Sequence, residues 1–370
     1  MVYYISAFLV YGLAVIYLLQ EGRPRRGLVF ICGMSPLVLL ALLREGGVGT
    51  DTASYLNIVD EIKNYGTTSV AVENGFVLLI KAMLYLGAEP MQILALVGFI
   101  TTAVLISASL TSTRATLVSA LCIVPIFYLD MTMNGLRYGL SFAFAMYSIA
   151  LLSQNRVIVG SFLAVCSVLF HISGLALFAI MALLASNKIE LRRWIALSAG
   201  LALVAFVQLH GSQQTETAQQ THINFTEKAL IYTHFPSPSI LSGLAPLVLS
   251  IIVIFLIFSV DQVSNGIRSR RFYILSALVI LTFVVAKFSY AGLRLQFVVL
   301  FAMLVALQFK PEFSVVSIQA KGVRRAMVIV GVLGAFAFLK NIYVTEGIGP
   351  SPFLPYSINP AVHVFLHVDR

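Results

Sequence analysis

Three arginines lie where a guanidinium is costly, at or near the ends of strongly apolar segments: Arg44, Arg137 and Arg294. A permanent cation in such a place usually faces a polar cavity and a partner, because removing it from water without compensation is expensive. Guanidinium groups bind phosphate through parallel N–H donors, so several of them on one wet face suit an anionic substrate. We therefore expect an anionic substrate, with phosphate as the first candidate.

The segments around these arginines place the chain among helical membrane proteins. Of its 370 residues, 59% are hydrophobic and only 11% are charged, and no soluble globular domain has this composition. Apolar runs long enough, or nearly long enough, to span a bilayer are 3–20, 27–43, 91–110, 115–130, 136–153, 157–171, 174–186, 193–209, 240–259, 271–287, 293–309 and 323–340. The predicted fold is all-α, a polytopic integral membrane protein of about 12 transmembrane helices. We expect a break within 157–186, near Ser173 and Gly174, and one integral-membrane domain over residues 1–370.

The basic residues predict the orientation of this domain. If the cluster 23–26 is cytoplasmic, most of the 24 basic residues fall on the cytoplasmic side, as the positive-inside rule requires. The net charge of +9 therefore reports topology and lipid headgroup contacts, and it does not indicate a nucleic-acid interface. Both termini then lie outside, and so do Arg44, Arg137 and Arg294.

This orientation requires that the segment 73–87 does not span the membrane. The segment is short and carries Lys81 at its centre, which would be expensive in a lipid-facing helix. We expect a re-entrant or cavity-lining helix that enters and leaves on the outer side. Two outer segments are large, 44–72 and 210–239, and the first has the pattern of an amphipathic helix that Thr50 or Asp51 can cap.

On this topology, polar side chains from distant parts of the chain gather on one face: Arg44, Asp51, Tyr55, Glu73, Asn134, Arg137, His171, Tyr290 and Arg294. Taken singly, each has a structural explanation, since Asp51 can cap a helix and Arg137 can extend to lipid headgroups. Their occurrence on one face favours a site assembled between helices. No cofactor and no metal site is predicted, because the cysteines and loop histidines lack ligand spacing.

Four motifs stand in a fixed order along the chain: Arg44 with Val48-Gly49-Thr50-Asp51-Thr52 and Tyr55, then Glu73-Asn74-Gly75-Phe76, Asn134-Gly135-Leu136-Arg137 and Phe170-His171-Ile172-Ser173-Gly174. Together with the late Tyr290, Arg294 and Leu354-Pro355-Tyr356, this order resembles the EpsG-type family of Wzy-like polymerases of bacterial exopolysaccharide and O-antigen. The resemblance covers nearly the whole chain. Asn74 departs from the proline that the family's Glu-Pro-Gly-Phe form leads us to expect.

The resemblance implies a membrane glycosyltransferase of the bacterial cytoplasmic (inner) membrane. It would join oligosaccharide repeat units carried on undecaprenyl pyrophosphate, with its active face periplasmic or extracytoplasmic. The implied partners are the undecaprenyl-pyrophosphate-linked oligosaccharide, membrane lipids, a flippase and a chain-length regulator, with no nucleic acid.

The site residues are then expected to divide between catalysis and substrate binding. Arg137 and Arg294 would face the leaving pyrophosphate, with Arg44 as a third cation or an organiser. The acceptor hydroxyl needs a base, for which His171 and Asp51 are the candidates; His171 is preferred because its ordinary pKa lies near the working pH. The other substrate-binding candidates are Tyr55, Glu73, Asn134 and Tyr290.

The alternative is a transporter or flippase of lipid-linked glycans, which also needs a charged cavity among helices. A transporter more often shows halves related by internal symmetry and charges near the midplane. No repeat is visible in this sequence and the charges lie at one face, so the enzyme is the preferred hypothesis.

Overall fold

The computed structural model describes residues 1–20, 25–70, 72–211, 243–310, 312–313, 320–343 and 353–359. At 209–211, 290–291, 341 and 343 it describes the backbone only. Every regular element in these ranges is a helix, accompanied by two isolated β-bridges. The helices are α1 (Val2–Leu18), α2 (Arg26–Leu42), α3 (Thr52–Tyr65), α4 (Asn74–Tyr85), α5 (Pro90–Ser109), α6 (Thr113–Asn134), α7 (Leu136–Ser153), α8 (Val157–Phe170), α9 (Ser173–Leu183), α10 (Lys188–Gly211), α11 (Leu244–Val260), α12 (Asn265–Ala286), α13 (Tyr290–Phe309) and α14 (Lys321–Tyr343).

The helices have the lengths and compositions of membrane spans. By these criteria, 6 helices in the described ranges can cross a membrane: α5, α6, α7, α12, α13 and α14. Shorter apolar helices are α1, α2, α4, α8, α9 and α11. The chain is thus an all-helical, multi-pass membrane protein, and each predicted apolar run overlaps a helix. The predicted break is confirmed between α8 and α9, whereas the total of 12 spans stays a prediction.

Helix α6 lies at the centre of the bundle, and nearly all of its residues are buried. It contains two π-helical segments, Ser119–Ile123 and Asp130–Asn134. A π-helical turn widens the helix and commonly occurs at functional sites. Helix α7 approaches the second segment closely at Gly139, where an added Cβ would lie 2.2 Å from the carbonyl oxygen of Met131. A glycine is therefore required where α7 passes the end of α6.

Polar contacts between distant residues join helix ends at the same end of the bundle. At one end, which we call the site face, Arg44 donates to the Thr132 carbonyl and the Thr50 amide donates to Asn134. At the other end, the opposite face, Lys310 pairs with Glu190. Successive long helices therefore alternate in direction, as expected of a multi-pass bundle.

Helices α3 and α4 do not carry the chain from the site face to the opposite face. Helix α5 runs antiparallel to α2, since Gly27 at the start of α2 lies beside Leu110, which follows α5, and Leu42 at the end of α2 lies beside Gly98. The chain therefore leaves and re-enters the bundle on the site face between α2 and α5. The outer helix predicted over 73–87 corresponds to α4 in this position.

A buried ion-pair network ties loops together on the opposite face. Arg271 donates to Asp261 at 2.8 Å and lies 3.6 Å from Glu312, and its side chain is 1% exposed. Lys310 pairs with Glu190, and burial lowers the pKa of this lysine while Glu190 opposes the shift. Such a network costs desolvation energy but fixes the relative positions of the segments that carry it. The helix ends opposite the site are thereby held in one arrangement.

Candidate functional site

The π-helical end of α6 positions the loop that precedes α3. The Asn134 side-chain amide donates to Asp130 at 3.0 Å, and its oxygen accepts from the Thr50 amide at 3.1 Å. The Thr52 hydroxyl lies 3.4 Å from the carbonyl oxygen of Met133. These contacts hold Asp51, which lies between the two threonines, next to the end of α6.

The backbone of this loop requires a glycine at position 49. Gly49 has φ +111°, and an added Cβ would lie 2.6 Å from the Thr52 hydroxyl and 3.0 Å from the Met133 carbonyl oxygen. We expect Gly49→Ala to lower the free energy of unfolding by about 1–3 kcal/mol, because the alanine is strained and clashes. Gly47→Ala is the matched control, since no atom lies within 4 Å of its added Cβ. Equal melting temperatures for the two purified variants would contradict this account of the loop.

Asp51 is a partly buried carboxylate within electrostatic range of two cations. It occupies the N-cap position of α3, but its side chain makes no capping hydrogen bond. Burial raises the pKa of Asp51, and the charges of Arg294 and Arg137 oppose this rise. A carboxylate in this setting can accept a proton more readily than one in water.

Glu73, Arg137 and His171 form one cluster beside Asp51. Arg137 donates from Nη1 to Glu73 Oε2 at 2.8 Å, and His171 Nε2 lies 3.8 Å from Glu73 Oε1. The side chains of Arg137 and Glu73 are 20% and 15% exposed, so the cluster is open to a ligand. The Arg137 amide lies 3.5 Å from the hydroxyl of Tyr55, and burial raises the pKa of that phenol. The cluster joins α3, α4, α7 and the α8–α9 junction.

The hydrogen bonds of His171 determine which of its ring nitrogens carries the proton. Nδ1 accepts from the Ser173 main-chain amide at 3.1 Å and lies 2.6 Å from the Ser173 hydroxyl. An acceptor Nδ1 leaves the proton of the neutral ring on Nε2, which faces Glu73. This N–H therefore points towards the Glu73 carboxylate, 3.8 Å away. Of the two predicted base candidates, this geometry favours Asp51.

Arg44 lies apart from the cluster of Asp51 and Arg137. Its side chain is buried, and Nη1 donates to the carbonyl oxygens of Ala41 at 2.8 Å and Thr132 at 2.7 Å. Burial lowers the pKa of Arg44 to about 10, against the effect of three tyrosines: Tyr4, Tyr356 and Tyr128. Of the two roles predicted for Arg44, this geometry favours the organiser, which joins the end of α2 to the π-helical end of α6.

A C-terminal segment, 353–359, covers Arg44. Arg44 and Ile358 form an antiparallel bridge, and the Asn359 amide donates to the Leu43 carbonyl at 2.9 Å. The Tyr356 hydroxyl donates to the Leu40 carbonyl at 3.0 Å. The terminal Leu354-Pro355-Tyr356 motif therefore belongs to the wall of the site face.

Asp130 is a site residue outside the set predicted from the sequence. It accepts from Asn134 and from the Tyr138 hydroxyl, and it lies within electrostatic range of Asp51 and Arg294. In the sequence, Asp130 could have been noticed as an acidic residue inside an apolar run, four residues before Asn134.

Of the two late site residues, Arg294 is exposed near the start of α13, and the side chain of Tyr290 lies outside the described residues. Within those residues, no three acidic, histidine or cysteine side chains are grouped as metal ligands.

The fold and the site define a helical, multi-pass membrane protein with a cluster of cations and carboxylates on one face. The profile of the EpsG family matches residues 27–358, which is most of the chain. The chain belongs to the EpsG family and is thus a membrane protein of exopolysaccharide biosynthesis. No curated protein and no solved structure matches it significantly.

Proposed function

We propose that the chain is a polysaccharide polymerase, a membrane glycosyltransferase that joins undecaprenyl-pyrophosphate-linked oligosaccharide repeat units. The reaction would take place at the outer face of the bacterial cytoplasmic membrane. The observation that carries the proposal is the site-face cluster, in which the partly buried Asp51 lies within the fields of Arg137 and Arg294. A base beside fixed cations is what transfer from a lipid pyrophosphate requires.

The proposed step transfers a growing glycan to a hydroxyl of an incoming repeat unit. The acceptor oxygen forms a bond to the anomeric carbon of the donor, and its proton passes to Asp51. The bond between the anomeric carbon and the pyrophosphate oxygen breaks, and undecaprenyl pyrophosphate leaves with the electron pair. Negative charge grows on the leaving group during this step, so cations fixed near it lower the barrier.

The cations in the cluster differ in their proposed roles. Arg137 binds the leaving pyrophosphate and is held in position by Glu73, which is itself within reach of His171. Arg294, which is exposed, supplies the second charge. The proposed sugar-binding residues are Tyr55, whose hydroxyl lies beside the Arg137 amide, and Tyr290.

The distribution of basic residues supports an outward-facing site. The helix ends and loops of the opposite face carry Arg114, Arg156, Lys188, Arg192, Arg193, Arg268, Arg270 and Lys310. By the positive-inside rule, that face is cytoplasmic and the site face is extracytoplasmic. Lipid-linked repeat units displayed on the outer leaflet would then reach the site.

The function is tested by the length distribution of surface polysaccharide in a strain that lacks this gene. We expect single repeat units at the surface without a ladder of longer chains, and wild-type protein should restore the ladder. A strain that exports no repeat unit at all would indicate a flippase. An unchanged ladder would exclude the polymerase.

The charge of Arg294 should control the pH dependence of the reaction. As a base, Asp51 must be ionised, so activity falls as the pH decreases through its pKa, which burial raises and Arg294 and Arg137 lower. Arg294→Gln removes one lowering charge, so the acid limb of the rate profile should move to higher pH. Initial rates in proteoliposomes, each normalised to its own maximum, measure this movement. A limb that moves to lower pH or stays in place would contradict the assignment.

A further inference from the structure

A cavity of about 480 Å³ opens between the ends of α3 and α4 and the start of α5. Its lining comes from the ends of α3 and α4 and from the residue before α5, and it includes Lys63, Lys81, Tyr85, Glu89, Ile62 and Leu84. The volume lies in the range of roughly 300–1,000 Å³ that is typical of small-molecule sites. Lys63 is separated from Asp51 by about 18 Å along α3, at about 1.5 Å per residue. The cavity is therefore distinct from the cluster of Asp51 and Arg137.

The charges around the cavity favour an anionic ligand. The lining contains two lysines, Lys63 and Lys81. Lys63 lies 3.5 Å from Glu89, so its charge is partly neutralised. Glu89 also caps the start of α5 with its side chain, which fixes the carboxylate. Lys81 makes no hydrogen bond or ion pair within the part of the chain that the structure describes. It is the lysine that the sequence predicted to line a cavity, and its charge is available to a ligand.

The outer surface of α4 beside the cavity is apolar. Leu78 and Tyr85, which share one side of the helix with Lys81, are 69% and 91% exposed, and Leu86, which follows the helix, is 82% exposed. The other side of α4 is buried through Phe76. In a membrane protein an exposed apolar surface contacts lipid tails, while lysine and tyrosine lie at the level of the headgroups. An anion that reaches the cavity along this surface would carry a lipid tail.

We infer that this cavity binds the pyrophosphate of the lipid-linked acceptor. The identity of the acceptor rests on the proposed function, which requires two lipid pyrophosphates at once. In the proposed reaction the donor's pyrophosphate lies at Arg137 and Arg294. The acceptor's pyrophosphate therefore needs a second cationic binding site near the membrane. The acceptor's far end must also reach Asp51, and the separation along α3 leaves room for a short oligosaccharide between the two. Lysines suit this role because the acceptor pyrophosphate is held as a charge and is not released.

The inference can be tested by photo-crosslinking in nanodiscs of phosphatidylcholine. The probe is a polyprenyl pyrophosphate with a photoreactive group next to the pyrophosphate, and crosslinked peptides are identified by mass spectrometry. We expect labelling of residues 78–89, and Lys81→Gln should reduce it about tenfold, as the loss of a charge-assisted contact does. Lys340→Gln, which removes an exposed lysine near the end of α14, is the matched control and should leave labelling unchanged. Glu89→Gln should increase labelling, because it frees Lys63 and keeps an oxygen that can cap α5.

Three results would overturn the inference. Labelling that is equal in wild type and Lys81→Gln would show that the cavity charge does not hold the probe. Equal labelling by the corresponding polyprenol, which lacks the pyrophosphate, would show that only the lipid tail binds. Displacement of the probe by an equal amount of phosphatidylglycerol would identify the occupant as an ordinary anionic phospholipid.

The result is separable from the proposed function because the measurement needs no turnover. Arg137→Gln should keep the labelling of 78–89 while losing polymer formation. A wild-type protein that makes polymer without labelling at 78–89 would refute the cavity assignment alone. A protein that labels there but makes no polymer would refute the polymerase and leave a lipid pyrophosphate site.

Discussion

Arg137→Gln is expected to reduce the rate of polymer formation by about 10²- to 10³-fold, as the loss of one transition-state donor does in other enzymes. The guanidinium pairs with Glu73 at 2.8 Å, so its removal also takes one cationic partner from a carboxylate that is only 15% exposed. Arg137→Lys should also lower the rate of polymer formation, because an ammonium group cannot reproduce a bidentate contact with the pyrophosphate. The rate is measured with purified protein in proteoliposomes that contain the lipid-linked repeat unit.

The control for Arg137 is Arg325→Gln, which removes an exposed arginine near the start of α14 on the opposite face. This variant should polymerise at the wild-type rate. Comparable melting temperatures for both variants would show that the loss does not come from misfolding. If Arg137→Gln and Arg325→Gln polymerised equally fast, the cluster could not be the reaction centre.

Asp51→Asn is expected to lower the turnover number by about 10²- to 10⁴-fold, because it removes the group that takes the acceptor proton. The substitution preserves size, and Asp51 makes no capping hydrogen bond with its side chain, so α3 should keep its stability. The acceptor KM should change little. Asp60→Asn on the exposed side of the same helix is the matched control and should behave as wild type.

The comparison of Asp51 with His171 decides which residue is the base. His171→Gln should lower the rate less than Asp51→Asn, because the Nδ1 lone pair of the imidazole is engaged by the Ser173 amide and its Nε2 side faces Glu73. A larger loss in His171→Gln, with an active Asp51→Asn variant, would reverse the roles.

The helical membrane fold could be predicted from the sequence because long apolar runs have few alternatives in a bilayer. The same holds for the placement of 73–87, since Lys81 argues against a span. The break between α8 and α9 was also visible, because Ser173 and Gly174 interrupt the apolar run. These features are local, and the physical chemistry of each segment determines them.

The contacts within the site could be predicted only in part. The sequence placed Glu73, Arg137 and His171 on one face as a substrate-binding candidate, a cation and a base candidate, but it did not predict that Glu73 pairs with Arg137. Arg44 has the same residue type and the same kind of setting as Arg137, yet it is buried against Thr132. Which helix ends touch depends on the packing of the whole bundle. The proton on His171 depends on an amide two residues away, which no sequence pattern reports.

The most direct test of the polymerase uses purified protein in proteoliposomes with a radiolabelled, undecaprenyl-pyrophosphate-linked repeat unit as the only substrate. The account predicts a ladder of products and the release of one undecaprenyl pyrophosphate for each bond formed, with both lost in Arg137→Gln. Unchanged single repeat units in the presence of folded wild-type protein would contradict it.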